Sequence, residues 1–314
     1  DDFYEDNNMA VGTNPGSPES SWERWAMNSY FLRLAYTYKD RYSATVTGRV
    51  DGSSKFGDNN KYAFFPSAGL AWNISQEDFL SDSEVISNLK LHTSYGLTGN
   101  SEIGPYNSLG KTDAGTHLID GKRAPWSYIK TMSNPDLKWE KTGQFDIGFD
   151  IGFFENRLNL DIAYYNKKTT DLLLDCPVPH STGFSTIFKN IGAVRNQGMD
   201  LMVNATPVRS KEFNWNSVVN LNYNKNKILA LGDTDADVYL YDWVNGGSIL
   251  RVGESMGSFY GLQRYGVYTI EDFEAGNCEK NQVGRAKRSS EKEIIGKGLP
   301  DWTGSWINNF SYKN

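Results

Sequence analysis

Gln144-Phe145-Asp146-Ile147-Gly148-Phe149-Asp150-Ile151 is the stretch that decides the fold. Phe145, Ile147, Phe149 and Ile151 fall on one side of an extended chain, and Gln144, Asp146, Gly148 and Asp150 on the other. Successive side chains of an extended backbone point to opposite faces, so a strict period of two predicts a strand with one apolar and one wet face. After Glu155-Asn156 the alternation resumes, with Leu158, Leu160, Ile162 and Tyr164 against Asn159, Asp161, Ala163 and Tyr165. Two such runs joined by so short a connection predict a β-hairpin.

The pattern extends in both directions. Tyr30, Leu32, Leu34, Tyr36 and Tyr38 alternate with Arg33, Ala35 and Thr37. Past Lys39-Asp40, Tyr42, Ala44, Val46 and Val50 alternate with Ser43, Thr45, Thr47 and Arg49. Leu89, Leu91, Tyr95 and Leu97 oppose Lys90, His92, Ser94 and Thr98, and Met199, Leu201, Val203 and Ala205 oppose Asp200 and Asn204. Phe213, Trp215, Val219, Leu221 and Tyr223 oppose an asparagine ladder from Asn214 to Asn224. With less regular strands at 64–74 and 303–312, the chain is expected to form about nine strands of roughly ten residues, the length that crosses a bilayer when tilted.

Connection lengths alternate as well. Lys39-Asp40, Glu155-Asn156 and Val208–Glu212 are short and 75–87 is of medium length, whereas 52–61, 99–141, 169–195 and 227–302 are long. A soluble sandwich has no reason to sort its loops in this way, but an outer-membrane barrel pairs short periplasmic turns with long extracellular loops. A strand-like stretch at 256–268 would break the alternation if it spanned, so it is expected inside a large extracellular excursion over 227–302. Aromatics gather at strand ends (Tyr36, Tyr38, Trp72, Phe153, Tyr164, Trp215, Tyr312), where the girdles of such barrels sit. The expected fold class is therefore all-β, a transmembrane antiparallel β-barrel present as an incomplete, open sheet.

Composition agrees once the two faces are considered separately. The 314 residues carry 32 Lys and Arg against 38 Asp and Glu, a net charge of −6, which disfavours nucleic acid as a partner because phosphates are met by basic patches. No apolar run approaches the roughly 18 residues of a membrane helix. A mean hydropathy of −0.56 is what alternating faces and long polar loops produce together. His92, His117 and His180 are scattered, Cys176 and Cys278 lie in separate loop-like segments, and no Walker, GxSxG or HExxH motif is present, so neither an enzyme activity, a cofactor nor a metal is expected. Asp233, Asp235 and Asp237 begin like a calcium loop, but Val238 and Val244 stand where such a loop requires glycine and glutamate.

Short motifs add a resemblance. Asp40-Arg41-Tyr42, Arg49-Val50-Asp51-Gly52-Ser53-Ser54-Lys55-Phe56, Phe65-Pro66-Ser67 and Trp72-Asn73-Ile74 occur in that order. They are followed by Ser94-Tyr95-Gly96-Leu97-Thr98-Gly99-Asn100, Asn134-Pro135-Asp136-Leu137-Lys138-Trp139-Glu140, Asn190-Ile191-Gly192, Gly257-Ser258-Phe259-Tyr260-Gly261 and Gly298-Leu299-Pro300-Asp301-Trp302. The ordered set resembles the SusC/RagA-type TonB-dependent transporters, outer-membrane nutrient importers of Bacteroidetes. That resemblance implies a 22-stranded barrel, of which residues 1–314 are part, with the plug domain, the early strands and the final strands outside the chain. It also implies a SusD-like surface lipoprotein as partner, the TonB complex acting through the missing N-terminal region, and import of oligosaccharides or oligopeptides. A secreted β-rich glycan-binding module or glycoside hydrolase is the alternative, which leaves the loop alternation unexplained.

Two sets of site residues follow. Tyr106, Trp126, Tyr128, Trp139, Tyr239, Tyr241 and Trp243 lie in the long loops, where aromatic faces suit sugar rings or peptide side chains. Arg33, Arg49, Lys90, Asp146, Asp150, Asp161 and Asp200 lie on the polar side of the alternation and are expected to line a wet lumen facing a plug. On the lipid side an Arg or Lys at the midplane would cost about 2–4 kcal/mol.

Overall fold

The computed structural model describes residues 22–313 apart from 81, 82, 120, 121, 130, 179, 185, 233, 244 and 245. In chain order the strands are β1 (Met27–Tyr38), β2 (Tyr42–Ser53), β3 (Tyr62–Asn73), β4 (Ile86–Asn100), β5 (Thr112–Ile119), β6 (Lys122–Ile129), β7 (Glu140–Phe153), β8 (Leu158–Thr170) and β9 (Leu173–Pro177). They continue as β10 (Thr186–Asn190), β11 (Ala193–Arg209), β12 (Phe213–Ala230), β13 (Val238–Trp243), β14 (Gly246–Leu250), β15 (Ser258–Val267), β16 (Ala286–Lys297) and β17 (Trp302–Tyr312). Nine of them form one antiparallel sheet in the order β1-β2-β3-β4-β7-β8-β11-β12-β17. The sheet is open, with β1 and β17 each paired on one side only.

Directly opposed residues of an antiparallel pair project to the same face, so the register traces each face across the sheet. One continuous row runs Tyr38, Tyr42, Trp72, Leu91, Phe149, Ile162, Leu201, Leu221. The neighbouring row runs Thr37, Ser43, Ala71, His92, Gly148, Ala163, Asp200, Asn222, Thr303. One face is thus apolar from edge to edge and the other polar. Leu32, Leu34, Val46 and Leu70 on the apolar face are exposed, as a surface solvated by lipid requires.

Turn chemistry holds this register. Lys39 and Asp40 have φ of 51° and 56°, the left-handed pair that a tight hairpin needs, and Arg41 N donates to Tyr38 O at 3.0 Å. Phe154, Glu155 and Asn156, also at positive φ, turn β7 into β8. In β11 a bulge between Ala205 and Val208 absorbs Pro207, which has no N–H for the ladder, and keeps Val208 in phase with Trp215. At this end of the sheet Glu77 joins two turns: its carboxylate accepts from Arg41 Nη1 at 2.8 Å, Tyr42 OH at 2.6 Å and Trp72 Nε1 at 3.0 Å. Asn73 N donates to Arg41 O at 2.7 Å. Asp40-Arg41-Tyr42 and Trp72-Asn73-Ile74 are therefore two halves of one clasp.

The opposite end carries the long connections. They contain the hairpins β5-β6 and β9-β10 and a separate four-stranded sheet β13-β14-β15-β16. The stretch 256–268, expected outside the main sheet, supplies β15 of that smaller sheet.

Candidate functional site

The polar face gathers the charged candidates. Arg33 opposes Thr47, which opposes Ser67, and the row continues through Gly96, Gln144 and Lys167. One step along, Ser94 and Asp146 are opposed, with Tyr165 beyond. Arg33, Arg49, Asp51, Ser67, Gln144 and Asp146 line a hollow of about 710 Å³. Within it Arg49 Nε donates to Asp51 Oδ1 at 2.7 Å, Gln144 Nε2 to Asp146 Oδ1 at 2.8 Å and Ser94 Oγ to Asp146 Oδ2 at 3.3 Å. Further down, Lys90 Nζ lies 3.7 Å and His92 Nδ1 3.8 Å from Asp150 Oδ2, while Asp161 directly opposes Asp150. Asp200 accepts from Asn222 Nδ2. All seven predicted lumen residues thus share one face.

Above the hollow, three long connections are locked together. Phe56, Phe65, Ile103, Leu137 and Trp139 form a buried cluster. Trp139 is 2% exposed, with its ring 4.8 Å from Phe56 and 5.7 Å from Phe65, and its indole N–H donates to Lys61 O at 3.1 Å. Gly57 N donates to Leu137 O, and a Cβ at Gly57 would meet Pro135 O at 1.9 Å, so only glycine permits the approach. Asn190 binds both ways, accepting from Lys138 N at 2.8 Å and donating to Lys138 O and Asp171 O. Asn134 Nδ2 donates to Phe188 O at 2.8 Å. Period-two reading does not reveal this knot, although four of the motifs that carried the resemblance supply it.

The loop aromatics divide. Trp139 is core, so its ring offers no free face. Tyr106, at φ 64°, accepts from Arg24 N through its hydroxyl at 3.0 Å. Trp126 and Tyr128 belong to β6, Tyr241 and Trp243 to β13; their side chains lie outside the described set. Tyr239 is exposed and rests against Tyr260 at 5.5 Å between ring centroids. Arg251 lies 5.6 Å over the Tyr260 ring and grips Asp237 through Nε at 3.1 Å and Nη2 at 2.7 Å. Asp235 accepts from Leu231 N at 2.7 Å, so two of the calcium-like aspartates serve the loop itself. Among the described residues no group of three or more His, Cys, Asp or Glu is placed to hold a metal, and Cys278 is a free thiol.

The Arg251 hydrogen bonds hold the Asp237 carboxyl below its ordinary value of 3.8 and raise Arg251 in turn. A depressed carboxylate stabilises the folded loop fully above its unfolded pKa and loses that contribution as pH falls through the lowered one. Pepsin cleavage near 231–252 in the intact receptor should accordingly be slow above pH 4 and accelerate only in stronger acid. Asp237→Asn should release the loop across the whole range; equal cleavage of both proteins would contradict the pairing.

Residues 1–308 match the family model described as TonB dependent receptor-like, beta-barrel. The chain is 38% identical over 309 residues to TonB-dependent receptor P26 of Formosa agariphila, covering 94% of this chain and 31% of that protein. It is 34% identical over 306 residues to TonB-dependent receptor SusC of Bacteroides thetaiotaomicron, covering 91% of this chain and 30% of that protein. The solved structure of the RagAB peptide transporter superposes with a TM-score of 0.81 at 31% identity, covering 96% of this chain and 33% of that one. The chain thus spans about a third of the length of the relatives it matches.

Proposed function

Because the chain belongs to the TonB-dependent receptor β-barrel family of outer-membrane transporters, we propose that the intact receptor imports oligosaccharides or oligopeptides together with a SusD-like lipoprotein. The observation that carries this reading is the hollow of hydroxyls, amides and paired charges on the polar face beneath a locked rim. Such a wall stays hydrated and makes exchangeable hydrogen bonds, which suits passage of a polar solute. Arg33, Arg49, Lys90, Asp146, Asp150, Asp161 and Asp200 would face the plug, which moves when the TonB complex pulls on it. Tyr106, Trp126, Tyr128, Tyr239, Tyr241 and Trp243 would offer rings to substrate or to the lipoprotein lid. Trp139 would act only by holding the rim in shape.

The similarity to SusC and to the RagAB peptide transporter supports this class of cargo. The test is uptake of fluorescent oligosaccharides and oligopeptides by cells with and without the receptor gene, alongside affinity purification of the tagged receptor. Uptake of one cargo class should fall at least about tenfold on deletion and on collapse of the proton gradient, and a surface lipoprotein should co-purify. Unchanged uptake of both classes, or recovery of the receptor without a lipoprotein, would overturn the proposal.

A further inference from the structure

The apolar face is interrupted in one sector. On the outward positions of the nine paired strands there is no Asp or Glu, and the only cations are Lys141, Lys168, Arg195, Lys225 and Lys227. All five lie on the adjacent strands β7, β8, β11 and β12, at the end that carries the long loops.

The register sets their height. One tier runs Ile147, Tyr164, Met199, Tyr223 and Trp302, with the Tyr223 and Trp302 rings 4.8 Å apart. The next runs Tyr95, Phe145, Asn166, Gln197 and Lys225, and the third Leu97, Gly143, Lys168, Arg195 and Lys227. Each tier is two residues further along the strands, about 7 Å. The cations therefore begin where the aromatic girdle ends, at the level of the outer-leaflet headgroups.

The sector is also a built concavity. Leu97, Phe145, Lys141, Lys168 and Arg195 surround a hollow of about 370 Å³ that the missing side chain of Gly143 helps keep open. A Cβ at Gly143 would reach within 3.1 Å of the Tyr95 hydroxyl and 3.3 Å of Leu97 Cδ2. Arg195 Nε is buried and has no hydrogen-bond partner. Snorkelling accounts for lysines at an interface, but not for a buried, unsatisfied guanidinium N–H beside two lysines with no carboxylate on that face.

We propose that this sector binds the phosphate of an anionic outer-leaflet glycolipid, with Lys141, Lys168 and Arg195 around the phosphate and its sugar and acyl portions against Leu97, Tyr95 and Phe145. Guanidinium and ammonium groups make short charge-assisted bonds to phosphate oxygens, and each cation adds attraction to an anionic surface. The inference rests on the outer-membrane placement of the barrel and not on the identity of the imported cargo. Uptake unchanged on deletion of the receptor gene, with lipid binding intact, would therefore count against the import reading alone.

The test uses the intact receptor in a neutral detergent and native mass spectrometry. The probe is lipid A bearing its phosphates; lipid A stripped of phosphate is the matched control and inorganic phosphate the competitor. The phosphorylated lipid should bind at least about tenfold more tightly than the stripped one. The double variant Lys168→Gln/Arg195→Gln should abolish that preference, while Arg264→Gln/Arg288→Gln in the loop sheet should keep it. Equal binding of the two lipids by the unaltered receptor overturns the proposal, and that comparison does not depend on how the variants assemble. Displacement of the lipid by millimolar inorganic phosphate overturns the lipid assignment in favour of a free-anion site.

Discussion

Trp139→Ala should destabilise the loop rim by about 3–5 kcal/mol, the range for truncating a large aromatic in a closed core. The indole fills the space between Phe56 and Phe65, and its N–H satisfies Lys61 O. Truncation removes apolar burial, opens a cavity and orphans a carbonyl at once. Because Phe56 and Phe65 reach the cluster from the β2–β3 loop and from β3 itself, the loss should spread beyond the loop that contains residue 139. Limited proteolysis of the intact receptor should show new cleavage in 54–61, 101–139 and 171–192, while the transmembrane strands stay protected. Trp139→Phe, which keeps a six-membered ring but loses the N–H and part of the indole's bulk, should cost less, about 1–3 kcal/mol. Unaltered loop protection in Trp139→Ala would show that the rim is held by its asparagine bonds alone.

The same residue shows where sequence reading reaches its limit. An aromatic in a long polar loop is equally consistent with a ligand platform and with a buried anchor. The difference lies in Phe56, Phe65 and Ile103, which come from other segments and meet Trp139 only after folding. Asn190 is silent for the same reason: its amide satisfies Lys138, 52 positions away, and no local period encodes that. The membrane strands, by contrast, are written in the sequence, because each must hide one face in lipid and wet the other regardless of its neighbours. Alternation consequently assigns all seven charged candidates to a common face without any knowledge of pairing. It also assigns Lys141, Lys168 and Arg195 to the opposite face. What alternation cannot supply is height along the sheet, which needs the inter-strand register. Only that register shows the outward cations to be a cluster.

A charge on the apolar face should be nearly as damaging as the rim truncation. Ile162 lies between Leu160 and Tyr164 on the outward side of β8 and is opposed by Phe149 and Leu201. Ile162→Arg places a guanidinium among lipid chains and should cost about 2–4 kcal/mol near the midplane. Asp161 is the adjacent residue but faces the other way, directly opposite Asp150 on the polar face. Asp161→Arg converts that like-charge pair into an opposed one in a wet environment, so its effect should stay within about 1 kcal/mol in either direction. Urea titrations of the intact receptor refolded into phospholipid vesicles measure both. Adjacent positions share strand, depth and the residue introduced, so the difference between them reports chiefly the face. Small costs at both 161 and 162 would mean that the apolar row faces water and is not presented to a bilayer. A loss confined to Ile162→Arg is what a wall with an apolar surround on one side and water on the other produces.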